Sequence, residues 1–412
     1  MNILLVAYYF PPINCAGSLR PLQMARWLRR SGHSVTVLTH TYQAAPAEDP
    51  GTLHIHDPAY ARAHQGRHRW PWLLFRVAAE TQNALGVYAS IFSPWKKNVL
   101  ARAEEIGRRV QPDLVLATYP PLEALEIGLE FSRRWRIPLV SDFRDGLMFL
   151  PIEGKRLAGH RCVREKYKET EAEIAAASAL ITAVTPVLQE YFQQAYPASR
   201  AAVVYSGYDP RECSDLPNIP LAPGYVHIVH TGRFALSDAA TDIRPFLAAL
   251  RRAAANKGLS PFRLHLAGEI SAREKRSLRG LLASGQAVLH PLMERRQALA
   301  LQQSADLLLL VTRPGERSGI PLKLFEYLFS TKPVLALSDD REIRRLVLDS
   351  HSGWCVSPCD IAGITAMLER LLEKTPSRLS LQRRHEVIAG FSWENQMKEL
   401  NRRLAALTAS RS

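Results

Sequence analysis

RSGIPLKLFEYLFSTKPVLAL, residues 317–337, places a turn, a helix and a strand in immediate succession. Ser318, Gly319 and Pro321 interrupt regular structure. Leu322, Leu324, Phe325 and Leu328 then give the next segment the apolar character of a largely buried helix, and KPVLAL reads as a short buried strand after it. Lys323 stands in the first turn and Glu326 three residues on, so the two charges share a side. A lysine at a helix start opposes the macrodipole unless an anion is present, and the unpaired N–H groups there favour one. One reading is an intrahelical ion pair on a solvated face, worth only ~0.2–0.5 kcal/mol. The other is a site in which the lysine neutralises a diphosphate while the glutamate accepts hydrogen bonds from a ribose diol. The apolar neighbours favour the second, because a buried charged pair needs a reason to be there.

Outward from this stretch the chain alternates strand and helix. NILLVAYYF is a near-continuous apolar run, as in a strand covered on both faces. LRPLQMARWLRR follows with Leu19, Leu22, Ala25 and Leu28 on one helical face, Gly32 stops it, and SVTVLT is a second strand. This is a βαβ unit and predicts a parallel sheet. PDLVLATYP, PLVSDFRD, SALITAVT and AAVVYSGYD continue the pattern. A proline-rich stretch, DPRECSDLPNIPLAPG, marks a boundary. YVHIVHTGRF, FRLHLAGEIS, AVLHPL, ADLLLLVT, KPVLALS and GWCVS then form a second alternating half. The 412 residues, 47% hydrophobic and 22% charged, fit two such globular domains.

Composition narrows the function classes. The five scattered cysteines have no zinc or redox spacing and suit a reducing compartment. MNILLVAYYFPP lacks the basic region of a signal peptide, and no apolar run approaches the ~20 residues of a membrane span, so a cytoplasmic location is expected. The net charge of +14 implies an anionic partner. No nucleic-acid-binding module is recognisable, and PPINCAGS lacks the dinucleotide fingerprint. Among loops after strands, HTGRF presents Gly232 and Arg233, an arginine able to grip phosphate oxygens or simply a surface charge. SDFRD presents Asp142, Arg144 and Asp145, either hydroxyl-orienting groups or a structural Asp–Arg pair. Arg20 is either an anion contact or an exposed first-turn residue. Between residues 62 and 97, Trp70, Trp72, Phe75, Phe92 and Trp95 interleave with Arg67, Arg69, Arg76, Lys96 and Lys97. That pattern fits an anionic membrane surface, or a core-facing helical pair with a basic rim.

SGIPLKLFEYLFSTKPVLAL resembles the donor-site segment of glycosyltransferase family 4, of the bacterial polysaccharide and glycan-biosynthesis type. ILLVAYYFPPINCAGSLRPLQMARWLRRSGHSVTVLT is similar to that family's first βαβ unit, HTGRF to its Gly–Arg motif, and FSWENQMKEL to its closing helix. Departures are Ser318 at the first of two family glutamates, Ser206 for an asparagine, and no lysine in ALSDAATDI. The resemblance implies an α/β GT-B fold of two Rossmann-like doubly wound domains facing a cleft. The expected domains are residues 1–208 for acceptor, a linker at 209–224, 225–390 for nucleotide sugar, and a helix in 391–412 crossing back to the N-terminal domain. It implies retaining, metal-independent transfer from a UDP- or GDP-sugar to a glycan or polyprenyl-linked acceptor, with no cofactor and no nucleic acid. Arg233, Lys323 and Asp145 are the expected catalytic groups. Gly17, Gly232, Arg233, Ser318, Gly319, Ile320, Pro321, Leu322, Lys323 and Glu326 are the expected donor contacts, and no Asp-x-Asp is present to hold a metal. A nucleotide-sugar epimerase of the same fold, or a basic nucleic-acid- or membrane-binding protein, are the alternatives.

Overall fold

The computed structural model describes residues 1–13, 15–40, 51–58, 70–149, 160–255, 261–373 and 381–409; the side chains of 70–75 and 408–409 lie outside that description. The chain divides into two compact units, Met1–Tyr205 with Gln396–Ser412, and Ser206–Asn395.

The first unit holds β1 (Asn2–Val6), β2 (Ser34–His40), β3 (Thr52–Ile55), β4 (Leu114–Tyr119), β5 (Leu139–Phe143), β6 (Ser178–Ala183) and β7 (Ala201–Val203). They form one sheet in the order β3-β2-β1-β4-β5-β6-β7, and every pair is parallel. Parallel neighbours require crossovers, which bury both faces, so β4 and β5 are buried at every position. The second unit repeats the plan with β8 (Val226–Thr231), β9 (Phe262–Ala267), β10 (Ala287–His290), β11 (Leu307–Val311), β12 (Val334–Leu337) and β13 (Gly353–Val356), in the order β10-β9-β8-β11-β12-β13. In each unit the strand order reverses beside the first strand, between β1 and β4 and between β8 and β11. Loops leaving the carboxyl ends at such a reversal are where doubly wound sheets bind ligands.

Two details differ from the sequence reading. TLHI forms β3, an edge strand too short and too polar to stand out as an apolar run. The first helix begins at Ala16 and buries Pro21, Met24, Ala25 and Leu28, the (i, i+3, i+4, i+7) face, rather than the Leu19 face. In the last helix, Trp393–Ala409, the residues Trp393, Met397, Leu400 and Leu404 are buried. Gln396 and Asn401 of this helix bond Tyr205 N and His33 Nε2 at 2.7 and 2.6 Å, which ties its later turns to the first unit.

Candidate functional site

In the second unit, β8 ends at Thr231, and Gly232 follows at φ +98°. The helix Leu322–Phe329 starts at Pro321 without a side-chain cap. A Cβ at Gly232 would lie 2.8 Å from Lys323 Nζ, so only glycine lets the ammonium rest over this loop. Lys323 Nζ is 3.3 Å from His230 Nε2. His230 is buried, and its Nδ1 donates to Leu309 O at 2.9 Å, leaving Nε2 as an acceptor for the lysine. Burial, and then the Lys323 charge, push the His230 imidazole well below its ordinary value, so it stays neutral. Burial likewise lowers Lys323 to about 8, with Glu326 opposing and Arg317 adding to the fall.

Glu326 is 9% exposed. Its Oε1 accepts from Arg295 Nη1 at 2.7 Å and its Oε2 from Gln302 Nε2 at 3.0 Å. Arg295 also reaches Glu212 Oε2 at 2.7 Å. Tyr327 Oη accepts from Thr231 N at 3.0 Å, fixing the end of β8 against this helix. Ser318 and Gly319 are buried, while Ile320, Pro321 and Leu322 are half-buried at the helix start. Arg233 is exposed and paired with Glu269 at 2.9 Å. Glu316, which lies near the position of the missing family glutamate, receives Arg341 N at 3.3 Å.

The first unit uses its charges differently. Thr118, Asp142 and Thr182 are in register across β4, β5 and β6. Both threonine hydroxyls donate to Asp142, at 2.8 and 2.7 Å, and Arg20 reaches the same carboxylate with Nε at 3.0 Å and Nη2 at 2.7 Å. Burial alone would raise the Asp142 carboxyl; Arg20 and the two hydroxyls outweigh it and hold the group below its ordinary value. Arg20 is 1% exposed, so neither the anion contact nor the exposed first-turn residue is observed. Pro21 cannot donate to the Gly17 carbonyl one turn back. Arg144 Nη1 supplies that donor instead, while its Nε and Nη2 bind Tyr119 O and Pro120 O at 3.0 and 2.6 Å. Arg144 thereby ties the start of the first helix to the chain leaving β4 and β5, and Asp145 sits half-buried beside it.

Sequence reasoning did not single out His230, Gln302 or the role of Arg295. The available signals were two histidines set among the apolar residues of the strand VHIVHT and an arginine at a helix start. The aromatic and basic segment resolves in part as core. Trp95 is fully buried, and Lys96 pairs with Glu126 at 2.8 Å. Arg67 and Arg69, and the side chains of Trp70, Trp72 and Phe75, lie outside the described residues. A cavity of about 550 Å³ lined by Ser132, Arg133, Arg136, Pro138, Arg200 and Leu407 lies at the amino ends of β5–β7, away from these loops. Among the described residues no group of three or more His, Cys, Asp or Glu side chains is placed to hold a metal, and no helix is long and apolar enough to cross a membrane.

Residues 18–207 match the glycosyl transferase 4-like domain, and residues 226–374 match glycosyl transferases group 1. No curated protein is significantly similar in sequence. Several solved structures share the fold over nearly the whole of both chains. One is trehalose-6-phosphate synthase studied with bisubstrate glycomimetics of transfer with retention (10% identity, 99% of each chain, TM-score 0.68). Another is the UDP-forming α,α-trehalose-phosphate synthase of Burkholderia xenovorans in complex with glucose-6-phosphate (13%, 98% of this chain and 100% of that one, 0.64). A third is Anabaena HepE in complex with UDP and glucose (15%, 98% and 99%, 0.62). These findings correct the expected acceptor. The similar structures hold a small sugar or sugar phosphate where a glycan or polyprenyl-linked acceptor was expected.

Proposed function

Because the chain is a glycosyltransferase of the GT-B fold, with two Rossmann-like domains, we propose that it transfers a sugar from a nucleoside-diphosphate sugar to a small sugar or sugar-phosphate acceptor. Transfer proceeds with retention and without a metal. One observation carries the donor half: Lys323 Nζ lies over Gly232 at the reversal of the second sheet, one turn from the anchored Glu326 carboxylate.

In this reading the ammonium and the uncapped helix start receive the diphosphate, and Arg233 stands at the same loop to neutralise the leaving group. Glu326 accepts from the ribose diol. Ser318, Gly319, Ile320, Pro321 and Leu322 form the backbone against which the donor lies. Within the first unit, Gly17 at the start of the first helix and Asp145 after β5 are the groups offered to the acceptor. The acceptor assignment rests on the ligands of the similar structures, glucose-6-phosphate and glucose.

The test is calorimetric titration with UDP, GDP, ADP and CDP, then turnover of the matching glucosyl donors with glucose or glucose-6-phosphate. Binding of one nucleoside diphosphate that Lys323→Ala and Glu326→Ala both weaken supports the reading. Binding of none rejects it.

A further inference from the structure

Eight arginine pairs punctuate this chain. Four stand in the last turns of their helices, where they complement the dipole: Arg29–Arg30, Arg108–Arg109, Arg133–Arg134 and Arg251–Arg252. Another, Arg295–Arg296, opens the helix Arg295–Ser304, where a cation is disfavoured. Arg295 is held there by two carboxylates from distant segments, Glu212 through Nε and Glu326 through Nη1, both at 2.7 Å. Burial would lower the guanidinium; Glu326 and then Glu212 more than reverse that and keep it charged.

Two turns along the same helix, buried Gln302 spends its two amide hydrogens on Thr231 Oγ1 at 2.9 Å and Glu326 Oε2 at 3.0 Å. Each oxygen of Glu326 therefore has one protein donor. A carboxylate oxygen carries two lone pairs, so one acceptor position on each remains. Two vicinal hydroxyls supply the two matching donors.

We infer that Arg295 and Gln302 are positioning residues that fix the Glu326 carboxylate to receive both hydroxyls of the donor ribose, and so select ribonucleotides over deoxyribonucleotides. This rests on the donor reading above and adds the residues that make it selective. Without Arg295 the carboxylate loses its fixed plane, and the selectivity falls before the diphosphate affinity does.

The experiment is calorimetry on the intact chain with UDP and GDP and their 2′-deoxy counterparts, for the wild type, Arg295→Met, Arg295→Lys and Gln302→Leu. The wild type is expected to favour the ribo form by about tenfold or more, the worth of one charge-assisted hydrogen bond. Arg295→Met and Gln302→Leu are expected to shrink that preference to roughly two- to threefold with deoxy binding unchanged, and Arg295→Lys to recover part of it. Should Arg295→Met not fold, Gln302→Leu, which keeps every ion pair, decides. Variants that retain the full preference, or that weaken ribo and deoxy forms alike, overturn the inference and leave the donor reading standing. A wild type that binds the diphosphates without regard to the 2′-hydroxyl overturns both.

Discussion

The two sheets reverse strand order at equivalent places, yet the loops beside β1 and β4 and those beside β8 and β11 handle charge in opposite ways. In the first unit Arg20 and Asp142 close on each other, with Thr118 and Thr182 completing the carboxylate, and Arg144 spends its donors on backbone carbonyls. In the second unit Lys323 leans on a neutral imidazole and a bare glycine, and among the described residues no carboxylate oxygen is in hydrogen-bond contact with it; Arg233 stands exposed beside Glu269. The first arrangement is architecture: Arg20 and Asp142 neutralise each other, and Arg144 is held by backbone carbonyls. The second leaves positive charge unneutralised at a helix start, which is how a protein prepares for an anion.

The contrast is broken most forcefully at Asp142. Asp142→Asn, or Arg20→Met, strands the other member of a buried bidentate pair and is expected to cost about 3–5 kcal/mol of stability. Denaturant unfolding reads this directly. A loss near that of an ordinary surface pair would mean the first unit's charges are not structural after all.

Lys323→Ala should behave in reverse. It removes a poorly solvated ammonium, so the midpoint of unfolding is expected to hold or rise. The kcat/KM for the donor is expected to fall by about 10²–10³, as when one preorganised charge on a leaving group is deleted. Thermal unfolding and initial-rate kinetics on the same preparation separate the two. Loss of stability with unchanged specific activity of the folded fraction would assign Lys323 to the architecture instead.

Much of this contrast was legible before any coordinates. Parallel strands buried on both faces must be apolar runs, so β1, β4, β8 and β11 stood out, whereas the edge strand β3, four residues with a histidine, did not. Lys323 and Glu326 were legible because charge was placed where the helix dipole and burial disfavour it. Their supports were not, because His230, Arg295 and Gln302 acquire meaning only by contacts across 93, 31 and 24 residues. The segment around Trp95 stayed open between surface and core for a related reason. Interleaved aromatic and basic residues look alike whether the lysine faces lipid or, like Lys96, a neighbouring Glu126.

The pH dependence sharpens the comparison further. Burial puts Lys323 at about 8, below its ordinary 10.5, so the unfolded chain binds more protons between those values. The lysine's contribution to stability therefore rises with pH across that window. Diphosphate needs the ammonium, so affinity falls in the same window, by roughly tenfold for each unit well above the lower value. Stability and affinity moving in opposite directions, with Lys323→Arg abolishing both trends, is the expected result. A flat affinity across this range would mean that the lysine does not contact the ligand.

The smallest expected effect is the most discriminating about where the site ends. Arg233 and Glu269 form an ion pair with both side chains more than half exposed. Such pairs contribute about 0–1 kcal/mol, so Arg233→Ala is expected to leave stability almost unchanged. If Arg233 does no more than decorate the surface, donor kinetics will be unchanged too. If it turns from Glu269 to the departing diphosphate, kcat falls while KM for the donor moves little, because the contact strengthens as charge develops on the leaving group. Glu269→Gln then serves as the control: freeing Arg233 from its partner should raise kcat, whereas a purely structural ion pair would leave it unchanged.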